Sequence, residues 1–196
     1  MLKPLWIVVM TSLPAAVPAQ NTGNPAGLSP DTPGVEAAKP ASDHANTQDK
    51  LFVRQATLGG RAEVELSTLA QRKATSPEIK QFAQRMIDDH RKSNDRLQRI
   101  SRAWQPELPK DLDPEHQAMR KTLADTSGET LDAKYVASQI MDHQKTANLL
   151  QWHLSYGQNE QLLAYSAETL PVVMHHLQMA RDLQARLMIM DQRQRQ

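Results

Sequence analysis

The sequence predicts an all-α protein, an antiparallel four-helix bundle with one long crossover between helices two and three that carries a short extra helix. Apolar residues recur three and four apart over four long stretches, the spacing that lines one face of an amphipathic helix. No stretch of useful length alternates apolar and polar residues as a half-buried strand does. The chain is also poor in aromatics and rich in Ala, Leu, Gln and Met, a helical composition. A length of 196 residues accommodates one such bundle plus appendages, or at most two small domains.

The appendages come first. Residues 1–19 combine Lys3, an apolar run from Leu5 to Leu13, and small residues ending Val17-Pro18-Ala19. That is the layout of a secretory signal peptide, too short and too interrupted by Pro14 to span a membrane. Cleavage is expected after Ala19, which places the mature chain in the periplasm or cell envelope. No cysteine stands at the junction to carry a lipid anchor. Residues 20–47 are rich in Pro, Asn, Thr, Gly and Ala without apolar periodicity, and read as a disordered linker.

The bundle is expected over residues 48–190. Helix one runs over 48–74, with Phe52, Ala56, Gly59, Ala62, Leu66, Leu69 and Ala70 inward. Gly59 and Gly60 each cost about 1 kcal/mol relative to Ala in a helix, so they imply a close neighbour or a local bend. Thr75-Ser76-Pro77-Glu78 is a turn, a cap and a helix start, too short for anything but an antiparallel hairpin. Helix two then continues to about residue 104, with Ile79, Phe82, Ala83, Met86, Leu97 and Ile100 on its stripe and His90 on the same face.

Gln105-Pro106-Glu107-Leu108-Pro109 ends that helix. Asp113-Pro114-Glu115 restarts a short one to about residue 124, with His116 expected to be exposed. Such a connection reaches along a whole bundle, so helix three is expected to run parallel to helix two. Thr126-Ser127-Gly128-Glu129 has capping-box spacing and opens helix three, to about residue 156. Its stripe is Leu131, Tyr135, Gln139, His143, Ala147, Leu150 and Leu154, and His153 near its end is placed to satisfy terminal carbonyls. Gly157 and Asn159 end it and cap helix four, expected over 160–190 with a kink at Pro171. Leu162, Ser166, Thr169, Val173, His176, Leu177, Ala180, Leu183 and Leu187 face inward; residues 191–196 form a polar tail.

Several function classes are excluded or unsupported. The formal charge is +1, with Arg91, Lys92, Arg96, Arg99 and Arg102 gathered on helix two. Balanced by Asp88, Asp89 and Asp95, they read as a solvated face or as a docking surface for an envelope protein partner. The absence of cysteine excludes disulfides, thiolate nucleophiles and cysteine-based metal sites. No phosphate loop, nucleophile elbow or nucleic-acid motif is present, so neither a nucleic-acid partner nor an enzyme activity is indicated.

One constellation remains. Glu63, His90, His143 and His176 each lie near the middle of their own helix and on or beside its stripe. Helices packed in one bundle have midpoints at a common depth, so the four groups are expected to converge in the core. Three neutral imidazoles and a carboxylate make a mononuclear ligand set suited to zinc, copper, nickel or iron(II). Asp89 and Asp142 point about 100° away around their helices and serve at most as outer groups. Met86 and Met179, one turn from His90 and His176, are core filler or thioether neighbours of such a site. The alternative is a metal-free polar layer in which the histidines bond to one another, to Tyr135, to Gln139 or to Asn94.

The run Phe52-Val53-Arg54-Gln55-Ala56, then Glu63-Val64-Glu65-Leu66, then Ile79-Lys80-Gln81-Phe82-Ala83-Gln84-Arg85-Met86-Ile87-Asp88-Asp89-His90 with Asn94, then Thr169-Leu170-Pro171 ahead of His176-Leu177, resembles an exported bacterial family. That family is domain of unknown function 4142, grouped with ferritin-like proteins. The resemblance covers about residues 51–183 and implies a ferritin-like bundle in the cell envelope, with no established activity. A di-iron ferritin centre needs Glu-x-x-His pairs, and Ile87, Ile140 and Val173 stand where those acids would be.

Overall fold

The computed structural model describes residues 44–104 and 106–194. The expected signal peptide, and the linker up to residue 43, lie outside the described residues. The linker's last residues lead directly into α1 (Thr47–Lys73). Asn46 and Asp49 cap that helix reciprocally: Asp49 N–H donates to Asn46 Oδ1 at 2.7 Å, and Asn46 N–H to Asp49 Oδ2 at 2.8 Å.

α2 (Pro77–Ser101) begins with Ser76 as cap and Pro77 in its first turn, then tightens into a 3-10 turn over Arg102–Trp104. α3 (Pro114–Asp125) is capped by Asp113, which accepts the His116 N–H at 3.0 Å. α4 (Gly128–Tyr156) and α5 (Glu160–Gln194) complete the chain. The capping box expected at residues 126–129 does not form. Ser127 makes no side-chain cap bond, and Thr126 Oγ1 donates back to the Thr122 carbonyl at 2.9 Å, closing α3 instead. The tail expected from residue 191 is helical through Gln194, because Gln and Arg are good helix formers and nothing there breaks the helix. α5 also continues across Pro171.

Hydrogen bonds between helix ends fix the directions. Asp132, in the first turns of α4, accepts the N–H groups of Thr75 and Ser76 at 3.1 and 3.0 Å, so α4 starts where α1 ends. At the other end His153 of α4 meets Asp49 of α1 at 2.9 Å. α4 is therefore antiparallel to α1 and parallel to α2. The crossover runs alongside α1, where Arg120 pairs with Glu65 and Lys73 donates to the Leu123 carbonyl. α5 returns antiparallel to α2, joined by Arg96–Glu168 and Arg186–Glu78.

The apolar core falls into two clusters. One gathers Leu66, Met86, Val136 and Ala180 with Leu131 and Tyr135; the other gathers Phe52, Leu97, Ala147 and Val173 with Leu150 and Leu162. Each of the four longest helices carries a buried titratable residue in the stretch between the two clusters: Glu63, His90, His143 and His176. Leu154, expected inward, is 37% exposed at the end of α4. Gly60 marks a close approach of α1 and α2: a Cβ there would stand 1.9 Å from Asn94 Oδ1, and Asn94 Nδ2 donates to the Gly60 carbonyl at 2.9 Å. Among the described residues no helix is long and apolar enough to cross a membrane.

Candidate metal centre

Between the two apolar clusters, α2, α4 and α5 each contribute one imidazole. The rings of His90, His143 and His176 pack with centroids 5.4–5.8 Å apart, all three buried. One ring nitrogen of each lies within 4.8 Å of the others. His90 Nε2, His143 Nε2 and His176 Nδ1 are buried and have no hydrogen-bond partner. The opposite nitrogens of two rings do have partners, and these set the tautomers. A carbonyl only accepts, so the bond of 2.8 Å between His143 Nδ1 and the Gln139 carbonyl puts the proton on Nδ1 and leaves Nε2 bare. His176 Nε2 faces Asp89 Oδ2 at 3.0 Å, which puts its proton on Nε2 and leaves Nδ1 bare.

The surroundings keep these rings neutral. Burial, then the neighbouring His143 and His176, push the His90 pKa well below the ordinary histidine value. Burial and His176 push His143 down to about 4. Burial lowers His176 as well, with Asp89 opposing part of the shift. The centre thus presents unprotonated lone pairs at neutral pH, the form that ligates metals.

Of the four residues grouped by their helix positions, the structure brings together the three histidines and sets Glu63 behind them. Its Oε1 lies 3.6 Å from His143 Nδ1, the protonated side of that ring, and its Oε2 accepts from Gln139 Nε2 at 2.8 Å. The offset follows from register. The midpoint of α1 is Gly60, and Glu63 lies almost a turn further on, level with Gln139 rather than His143. Glu63 is buried, and burial together with Asp142 raises its pKa to about 8. Oε1 has no partner.

Other sequence expectations meet mixed outcomes. Asp89 holds an outer position through His176. Met86 and Met179 pack in or against the first apolar cluster. Asn94 and Tyr135 bond elsewhere, Tyr135 to Ser67 at 2.9 Å. His116 is not exposed: it is partly buried against α4, with Nδ1 bonded to Asp113 and Nε2 3.7 Å from Asp142. These carboxylates, Asp142 foremost, raise its pKa to about 9.

A second polar cluster takes His153 away from the terminal carbonyls expected of it. His153 stacks on Phe52 at 3.9 Å and bonds Asp49 Oδ1 through Nε2 and Ser166 Oγ through Nδ1. All three residues are 0% exposed, so this Ser-His-Asp chain is closed to substrate. Asp49 also accepts the backbone N–H groups of Gln158 and Asn159, which ties the α4–α5 turn to the start of α1. The Asn-x-x-Asp box at residues 46–49 was its visible signal.

Fold and site together define an all-α bundle with a buried layer of three neutral imidazoles. The chain belongs to the family described as Domain of unknown function (DUF4142), whose model matches residues 34–183. No curated protein matches the sequence. Among solved structures, a DUF305 fragment from Deinococcus radiodurans superposes with a TM-score of 0.65 at 13% identity, over 76% of this chain and 99% of the other. A candidate secreted DUF305 protein from Streptomyces coelicolor gives 0.61 at 15% identity, over 71% and 91%. CopM in a Cu(I)-bound form gives 0.59 at 14% identity, over 68% and 93%. At these identities the likeness is one of fold.

Proposed function

We propose that this chain is an exported envelope bundle that binds one transition-metal ion through His90, His143 and His176, with Cu(I) the best-fitting ion. The observation that carries the reading is the three buried, neutral imidazoles packed against one another, each with a ring nitrogen that has no hydrogen-bond partner. A purely structural polar layer gains nothing from such an arrangement, because each unsatisfied buried polar atom costs about 1–3 kcal/mol. Ligand bonds would recover that cost. Bonds of about 2.0 Å in a trigonal set place the nitrogens roughly 3.5 Å apart, a spacing that small side-chain rotations reach from the present one.

Charge selects among the metals that suit imidazole. The desolvation cost of an ion rises with the square of its charge, and among the described residues no carboxylate joins the nitrogen cluster to offset a second charge. A monovalent ion content with few ligands is favoured over zinc, nickel or iron(II), which would draw on Glu63 or on an added ligand. Asp89 would act through His176, fixing its ring and raising its basicity. The Cu(I)- and Ag-bound forms of CopM, a structure of similar fold, support this choice. The leader-like residues 1–19 and the candidate secreted relative support export.

The test is direct. The chain is loaded separately with Cu(I) under anaerobic conditions, Zn(II), Ni(II) and Fe(II), passed through gel filtration and assayed for metal. One retained equivalent of Cu(I), lost in His90→Ala plus His143→Ala, is expected. No retained metal, or retention unchanged in the double variant, rejects the proposal.

A further inference from the structure

Two neighbouring cavities lie between the surface and His90, the one imidazole of the three that lines either of them. The outer one is a cleft of about 430 Å³ between α1, α3 and α4, with Asp113, Glu115 and Asp142 in its walls and Glu63 in its lining. The inner one is a chamber of about 40 Å³ with His90 in its wall, room for a water or a single ion. Gln55, Gly59, Thr146 and Leu149 line both, so they form the partition between cleft and chamber. Gly59 borders open space in that partition: a Cβ built on it meets nothing within 4 Å. Its neighbour Gly60 is needed for helix contact, whereas no packing requirement accounts for Gly59.

The lining suits a cation in transit. Three carboxylates face the cleft, and the cations among them, His116 and Lys145, are already engaged with those carboxylates. Further in, Glu63 Oε1 is buried in the lining of the same cleft without a hydrogen-bond partner, an oxygen donor that an incoming cation can engage. Carboxylates at the mouth concentrate cations there, and an inner oxygen replaces part of the hydration shell as the ion leaves water.

We propose that this passage, from the acidic cleft past Gly59 into the chamber beside His90, is the route by which the metal ion enters and leaves the three-histidine centre. The inference rests on the metal-binding reading above. It assigns Gly59 the role of keeping the route open, and Asp113 and Glu115 that of gathering the ion.

The experiment measures rates apart from affinity. Cu(I) loading from a weak acetonitrile complex, and Cu(I) release into excess bathocuproine disulfonate, are followed by stopped-flow absorbance. Gly59→Leu fills the passage while improving helix propensity, so loading and release should both slow tenfold or more, with the affinity changed less than twofold. Asp113→Asn with Glu115→Gln should slow loading several-fold at low salt, an effect that vanishes at high salt. Unaltered rates in Gly59→Leu, with one Cu(I) still bound, overturn the route and leave the metal centre standing. Should Gly59→Leu lose Cu(I), Gly59→Ala decides: at least twofold slowing supports the route, and unchanged rates reject it. A wild-type chain that retains no Cu(I) instead sinks the metal reading itself.

Discussion

Replacement of His90 by Leu separates a metal centre from a structural polar layer by the sign of its effect. His90 is 9% exposed, and its Nε2 is a buried nitrogen with no partner. Removing an unsatisfied buried polar atom recovers about 1–3 kcal/mol. Leu is of similar volume, and a swap that nearly conserves volume costs under about 1.5 kcal/mol of repacking. The metal-free His90→Leu protein should therefore be more stable than wild type by about 1 kcal/mol, roughly 2–4 °C in Tm for a domain of this size. With Cu(I) the order reverses. Free ligand at a hundred times Kd stabilises the wild type by about 2.7 kcal/mol and leaves the variant where it was. Calorimetric melts with and without Cu(I), the latter in the presence of chelator, measure both effects. A variant destabilised by more than about 1 kcal/mol without metal, or one still stabilised by Cu(I), would refute the reasoning.

Three further outcomes are expected. His116 carries a pKa raised to about 9 by Asp142 and Asp113. Its contribution is thus fully present below the unfolded value of about 6.5 and lost as pH rises through about 9. Urea titrations of His116→Gln across that window should show a shallower decline of stability than wild type; parallel curves would contradict the assignment. Asp49→Asn keeps the shape but removes the charge that holds His153 and the Gln158 and Asn159 N–H groups. It should cost about 1–3 kcal/mol in denaturant unfolding, because the amide NH2 turns a donor toward N–H groups that the carboxylate accepts, while the bound-metal stoichiometry stays at wild type. Finally, Gly59→Ala should stabilise α1 by about 1 kcal/mol. Gly60→Ala gains the same propensity but must displace Asn94 from its bond to the Gly60 carbonyl, so it should fall about 1 kcal/mol or more below Gly59→Ala. Equal thermal stabilities for the two would show that Gly60 is not a contact point.

Much of the fold is legible because helix formation and burial are locally encoded. The stripe Ile79, Phe82, Ala83, Met86 announces one face of α2 without reference to any partner, and Ser76-Pro77 announces its start. The errors fall where a side chain answers to something distant. Thr126 closes α3 rather than opening α4. His116 is covered only because the crossover lays α3 beside α4. His153 finds Asp49 across 104 positions of chain.

The sequence by itself determined four amphipathic helices, their antiparallel hairpins, the crossover, and the common depth of three histidines, since each follows from a repeat of about 3.6 residues and from the lengths between breaks. Tertiary structure alone decided which ring nitrogens are bare, through the Gln139 carbonyl and Asp89, and it alone moved Glu63 out of the ring cluster. Three residues past the midpoint of α1 amount to about 4.5 Å of rise, more than twice a metal–ligand bond, and depth counted along a helix cannot resolve that distance until its neighbours fix the register.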